Sequence, residues 1–279
     1  MATSKTGLTA GRPCAQHVLT FDVEDWHRGL SVSRRETGRH LEKALTLLLH
    51  ELERTGTRAT FFVLGEDAEK IRFVLMSCAS AGHEIASHGM RHTRVDSLDR
   101  AAFMRDLSDS FSLIEDIVQR PCRGYRAPWF SLSPDMTWCF EALAERGAVY
   151  DSSLRMSLDA SPPAVCQQFG LAEVSVPLLA LGRLQIGVLG GLYLRVLPRA
   201  MIRRLLARCE REGRPGCLYL HPYEWLATDP PLTSLSMKTV RRRLYVSRAL
   251  SRLRWVTETF SFTSIENWLQ ADRASCQHD

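Results

Sequence analysis

The sequence predicts an α/β fold built on parallel strands. Short apolar, β-prone runs alternate with segments whose apolar residues recur at helical spacing, which is the pattern of βαβ units. The 279 residues suit one large domain, or at most two small ones. Asp22, His88, Arg126, Asp151 and His221 each stand at or just past the end of a strand-like run. Parallel α/β folds build their sites at that end.

The first run, residues 17–21 (HVLTF), is apolar and ends abruptly in charge at Asp22. A buried strand that delivers a side chain to a site looks like this. Apolar residues at 41, 44, 45, 48, 49 and 52 mark an amphipathic helix, with Gly56 as its stop. Residues 58–64 (RATFFVL) read as a second buried strand, about 67–80 as a helix, and 83–86, after Gly82, as a third strand. A helix over 99–118 leads to a short strand at 123–126, which stops at Pro128. A helix over 134–146 carries Pro134 near its start, a position that suits proline. The strand at 147–150 ends at Asp151. Residues 160–185, with Pro162, Pro163 and Pro177, are less regular. A basic helix over 198–212 precedes the strand 217–220 (CLYL), which ends at His221.

Hydrophobic residues make up 45% of the chain, enough for a sizeable core and too many for a disordered protein. The formal charge of +5 is modest and spread over many arginines, so it gives no nucleic-acid footprint. The eight cysteines form no CxxC pair, which sets a zinc ribbon aside. Several lie inside apolar runs and read as buried free thiols of a reducing compartment. The start, MATSKTGLTAGRPC, lacks a charged n-region followed by an apolar h-region. No stretch reaches the roughly 18 apolar residues of a membrane span. A soluble, cytoplasmic protein is the expectation.

Four motifs carry chemistry. In SHGMRH (87–92), His88 and His92 are spaced i, i+4, which on a helical turn puts both imidazoles within reach of one ion. In FDVEDW (21–26), Asp22, Glu24 and Asp25 follow directly on an apolar run, and carboxylates there are costly to bury unless paired or bound to a cation. Asp22 and Glu24 share one face of an extended chain and Asp25 points the other way. One carboxylate completes a two-His, one-carboxylate metal site; another serves as general base. In RGYRAPWF (123–130), Pro128 fixes an extended turn behind Arg126, whose fork suits a carboxylate. In LYLHP (218–222), His221 has the near-neutral pKa that protonating a leaving amine requires, and Asp151 is a candidate to orient it.

Together these motifs resemble the NodB-homology polysaccharide deacetylases, carbohydrate esterase family 4. The order matches throughout: TFD at 20–22, His88 and His92, Arg126 to Pro128, Asp151, then Leu220 and His221. The variant TFDVEDW, with ATFFVLG, GHEIASHG, GYRAP, YDSS and YLHP, looks most like the subgroup of exopolysaccharide gene clusters with protein-sorting systems. The resemblance implies a distorted (β/α) barrel with about seven parallel strands. It implies that Asp22 is the general base, His88 and His92 are metal ligands, Arg126 holds Asp22, His221 is the general acid and Asp151 tunes it. Tyr125 and Trp129 are candidates to line a sugar site, with core packing as the alternative. One departure stands out. The common family motif is two adjacent Asp followed by Gly, with the second Asp on the metal, and Val23 occupies that place here. Relatives of Asp-x-Asp form use the residue two beyond the base, which is Glu24; Asp25 stays open. Zinc suits such a donor set, and cobalt or manganese fit it too.

The expected organisation is a flexible tail over 1–16, the deacetylase-type domain over 17–228, and a C-terminal helical extension over 229–279 that packs on it. Residues 238–255 hold seven Lys and Arg and no acidic residue. They read either as a peripheral contact with anionic lipid or as a solvated helix with Leu244, Leu250 and Leu253 on the barrel. The glycine-rich stretch 187–194 (GVLGGLYL) matches no phosphate loop and reads as a bulged strand or a rim loop. The function expected is N-deacetylation of an N-acetylhexosamine in a polysaccharide or lipid-linked oligosaccharide precursor. Hydrolysis of a small non-sugar amide, allantoinase-like, and a catalytically silent glycan-binding scaffold are the alternatives.

Overall fold

The structure, a computed structural model, describes residues 16–24, 37–158, 160–181, 184–225 and 244–276. Its strands are β1 (His17–Val23), β2 (Thr60–Val63), β3 (Glu84–Ser87), β4 (Gly124–Tyr125), β5 (Tyr150–Asp151), β6 (Arg155–Ser157), β7 (Ala172–Glu173), β8 (Val176–Leu181), β9 (Leu184–Gly187), β10 (Cys217–Leu220) and β11 (Phe262–Thr263). Seven run in the order β10-β1-β2-β3-β4-β5-β7, every neighbouring pair parallel, and the sheet curls into a half-barrel. β6, β8 and β9 form a separate small sheet. β8 and the start of β9 fall in the stretch 160–185 whose prolines suggested irregular chain.

β1 is central and buried along its whole length. Its apolar side chains therefore pack on both faces, as expected of a strand covered by helices. Phe21 stacks on Phe61 of β2 at 5.2 Å between centroids. The helix Thr37–Thr55 turns Leu41, Leu45, Leu48 and Leu52 into the same core. Burying each such side chain stabilises by about 1.5–3 kcal/mol. The helix Arg100–Val118 is started by Asp99, whose carboxylate accepts from Ala102 N at 2.7 Å, and ended by Gln119 in a left-handed conformation. Pro134 lies outside the helix Thr137–Glu145, in the turn before it.

The C-terminal segment does more than pack on the outside. β11 pairs in parallel with the start of β1, and the helix Ile265–Cys276 follows it. Ile265 N donates to Thr60 Oγ1 at 2.8 Å and Glu266 N to Glu84 Oε2 at 2.9 Å. Glu84 also accepts from Thr60 Oγ1 at 2.6 Å and Tyr150 OH at 2.7 Å. Burial outweighs these bonds and pushes its carboxyl up to about 7. This network closes the end of the half-barrel where β2 and β3 begin, opposite the end where they deliver their functional groups. Leu253 is buried, but Leu244 is 40% exposed, so it does not pack on the barrel. Residues 238–243 and most of the 1–16 tail lie outside the described residues. Six cysteines (78, 122, 139, 166, 209 and 217) are buried and free. Among the described residues no helix is long and apolar enough to cross a membrane.

Candidate metal centre

The end of β1 separates its side chains by alternation. Val23 points into the core, while Asp22 and Glu24 are both buried at the strand end. The position that carries the metal carboxylate in the common family motif is thus committed here to apolar packing. Asp25 lies outside the described residues. Among the described residues one cluster has metal-ligand spacing: Glu24, His88 and His92 each bring a ligand atom within 4.8 Å of the others.

The two histidines come from a loop, not from the helical turn that their spacing suggested. β3 ends at Ser87, and His88 N donates to Val63 O at 2.9 Å. Gly89 then adopts a φ of 79°, and a Cβ there would come within 2.9 Å of Asp106 Oδ2. Asp106 accepts from Met90 N at 2.8 Å, while the carbonyls of Gly89 and Met90 bond the backbone of Gly65 and Glu66. His92 sits at a φ of 55°, rare for a residue with a Cβ. The result places the two rings 5.4 Å apart between centroids.

The donor set fits a divalent cation. His88 Nδ1 is 2.7 Å from Arg126 O, and a carbonyl only accepts, so this nitrogen carries the proton and Nε2 keeps its lone pair. Burial lowers the pKa of His88 to about 4, so the ring is neutral. Glu24 Oε2 lies 2.7 Å from His92 Nε2, yet no donor is in hydrogen-bond geometry with this buried oxygen. Burial opposes the charge on Glu24, but the three surrounding imidazoles outweigh it and hold the carboxyl down at about 2. Two imidazoles and one ionised carboxylate with an unused lone pair are a zinc-type donor set.

Arg126 is fully buried and braces Asp22. Nη1 donates to Asp22 Oδ1 at 2.7 Å and to Thr20 Oγ1 at 2.9 Å, Nη2 to Ser152 Oγ at 2.8 Å, and Nε to Ser152 O at 3.1 Å. Burial works against the charge on Asp22, but Arg126 dominates and keeps its pKa below the ordinary carboxylate value.

His221 meets a different carboxylate from the one expected. Its Nδ1 lies 3.1 Å from Glu224 Oε1, which also accepts from His221 N at 3.2 Å. Its Nε2 faces Glu24 Oε1 at 3.4 Å, and its ring stacks on Tyr223. Burial lowers the pKa of His221, but Glu224 and Glu24 more than offset it, so the net shift is upward. Glu224 is held in turn by Arg195, Nε to Oε2 at 3.5 Å. Glycine at 191 leaves room for this contact, since a Cβ there would collide with the Glu224 carboxylate. Gly187 ends β9, Gly190 bridges to Tyr219 and Gly191 starts the helix Gly191–Val196, so the stretch leads from a strand into a helix.

Asp151 accepts from Ser153 Oγ at 2.6 Å and Ser153 N at 3.1 Å, and lies against Glu173. Ser153 Oγ accepts from Ala127 N at 2.7 Å, so Asp151 supports the turn that follows Arg126. Tyr125 is 1% exposed and packs edge-on against Phe103, so it belongs to the core and cannot line a sugar site. Trp129 is 44% exposed, with its ring 4.9 Å from that of His92. Trp129 and Phe130 both take positive φ, 61° and 52°. Such backbone in two bulky neighbours is costly, and it is concentrated beside the site.

The chain was compared with known families, proteins and structures. Residues 11–144 match the family model for polysaccharide deacetylase, and residues 156–270 match a domain of unknown function, DUF3473. A peptidoglycan deacetylase of Helicobacter pylori is 30% identical over 113 residues, 40% of this chain and 38% of the relative. A peptidoglycan deacetylase-like protein of Gibberella zeae is 28% identical over 134 residues, 47% of this chain and 36% of the relative. The matches therefore span well under half the length of either relative. The structure of a candidate polysaccharide deacetylase from Mycobacterium smegmatis superposes with a TM-score of 0.63 at 20% identity, covering 94% of this chain and 95% of that one. The fold is a parallel half-barrel shared with that structure. The match to the polysaccharide deacetylase model covers residues 11–144, a little under half of the chain. The DUF3473 region supplies β7, β10 and β11 of the same sheet and carries Arg195, His221 and Glu224.

Proposed function

We propose that this protein is a divalent-metal-dependent N-deacetylase that releases acetate from N-acetylhexosamine units of a glycan or its lipid-linked precursor. The observation that carries this reading is the convergence of Glu24, His88 and His92, with the Asp22–Arg126 pair and His221 beside them. A bound ion, zinc by donor chemistry with cobalt or manganese also compatible, supplies positive charge that polarises the acetyl carbonyl. Asp22, kept ionised by Arg126, takes a proton from the attacking water as its oxygen bonds the carbonyl carbon. His221, whose proton Glu224 and Glu24 favour, gives it to the nitrogen as the C–N bond breaks. Trp129 offers an exposed ring for a pyranose face, which favours a glycan over a small amide. The reading includes action in the cytoplasm on a precursor of an exported polysaccharide.

The test is acetate release from N-acetylglucosamine oligomers by the zinc-loaded protein and by Asp22→Asn and His221→Ala. Both variants are expected to keep stoichiometric metal and lose turnover by about 100-fold or more. Undiminished acetate release by either would remove that residue from the chemistry.

A further inference from the structure

A second polar cluster lies beside the helix Ala249–Thr259, which contacts the helix Gly191–Val196 that carries Arg195 of the Arg195–Glu224 strut. The helix Arg199–Arg211 begins four residues after Arg195 and packs near the helix Ala249–Thr259. Arg199 lies over the Trp255 ring at 5.0 Å, and Arg203 over Trp255 at 5.6 Å and Phe260 at 5.9 Å. Arg248 lies over Tyr245 at 4.2 Å. A guanidinium stacked on a ring keeps its in-plane N–H groups free for an acceptor. Arg252 sits among them, with its Nη1 buried and without any hydrogen-bond partner. Its pKa is lowered by burial and by the charges of Arg199 and Arg248. Their neighbour Arg254 is different, since it is paired with Glu51, its Nε donating to Oε2 at 2.6 Å. Among the described residues no carboxylate pairs with Arg199, Arg203, Arg248 or Arg252. A buried guanidinium N–H repelled by two like charges is unfavourable alone and favourable around an anion.

We propose that Arg199, Arg248 and Arg252 form a binding site for a phosphate-bearing ligand. Arginine forks match phosphate oxygens two at a time, and three cations, Arg199 and Arg252 on two helices and Arg248 in the turn before the second, suit a phosphomonoester or diphosphate better than a single carboxylate. The strut ties the cluster to the catalytic side: Arg195 holds Glu224, and Glu224 holds His221. If the deacetylase reading holds, and this last step alone rests on it, the ligand is the phosphate end of the glycan substrate.

The experiment is calorimetric titration with inorganic pyrophosphate at low ionic strength, together with sedimentation on phosphatidylcholine vesicles with and without phosphatidic acid. Parent, Arg252→Gln, the double variant Arg199→Gln/Arg252→Gln and the control Arg100→Gln are compared. Arg100 is a surface arginine paired with Glu141, so the control removes the same charge elsewhere. Binding is expected to weaken by at least about tenfold in the double variant and to persist in the control, since each charge-assisted bond is worth about that factor. Anion-free Arg252→Gln is expected to melt no lower than the parent, because it relieves repulsion. His88→Ala is expected to bind as the parent does, which keeps this result separate from the fate of the deacetylase reading. Pyrophosphate binding without vesicle binding identifies a soluble phosphate; vesicle binding that requires phosphatidic acid identifies a lipid headgroup. Absence of both, or equal loss in Arg100→Gln and the double variant, overturns the proposal.

Discussion

His92 Nε2 and Glu24 Oε2 lie 2.7 Å apart without forming a hydrogen bond. With His88 they form the cluster whose ligand atoms all lie within 4.8 Å of one another, the arrangement a shared ion requires. Glu24→Ala is therefore expected to weaken metal binding by more than about 100-fold, beyond what loss of a residue that only orients a ligand produces. Asp25→Ala is expected to leave it within a few-fold. Equilibrium dialysis against zinc checks both, and the opposite pattern would make Asp25 the ligand.

Arg126 donates to Asp22, Thr20 and Ser152 from a fully buried position. Arg126→Ala leaves Asp22 as an uncompensated buried charge and is expected to cost about 3–5 kcal/mol in urea unfolding. Asp22→Asn keeps acceptor geometry and should cost less than Arg126→Ala. Equal costs would mean that the pair is not energetically coupled.

Glu224 orients His221 through both its ring and its backbone nitrogen. Glu224→Gln preserves shape and removes charge, so turnover is expected to fall by about tenfold or more while KM changes little. Gly191→Ala should lower the melting temperature, because its methyl group collides with the Glu224 carboxylate. A Glu224→Gln enzyme with full turnover would reduce Glu224 to a structural residue.

Glu84 gives a pH signature remote from the site. Its folded pKa of about 7 lies above the ordinary 4.5, so the folded state holds a proton that the unfolded state releases. The contribution of Glu84 is fully present below about pH 4.5 and is lost as pH rises to 7, by roughly 3 kcal/mol at most. Glu84→Gln is expected to flatten that slope between pH 5 and 7.5 in denaturant titrations. A slope unchanged by the substitution would place the effect on another group.

Much of this was legible in the sequence, for reasons that differ by residue. Asp22, Glu24, His88, Arg126 and His221 were visible because each interrupts or ends an apolar strand run, and alternation put Asp22 and Glu24 together. Glu224 stood three residues beyond His221, the spacing at which a 3-10 turn (Pro222–Trp225) returns a side chain, and that signal went unread. Tyr125 stayed open between core and sugar site because a two-residue strand is too short to show which side faces the core. β11 was missed for the same reason, since a two-residue strand has no periodicity to detect. Its place is fixed by Thr60 and Glu84, nearly two hundred residues earlier in the chain, and no local pattern reports such a partner.

The most direct measurement strips the protein with chelator, restores zinc, cobalt or manganese, and follows acetate release from N-acetylglucosamine oligomers, with His88→Ala alongside. The account predicts release that requires added metal and disappears in the variant. Release that persists in metal-free protein, or in His88→Ala, would contradict a catalytic metal centre at Glu24, His88 and His92.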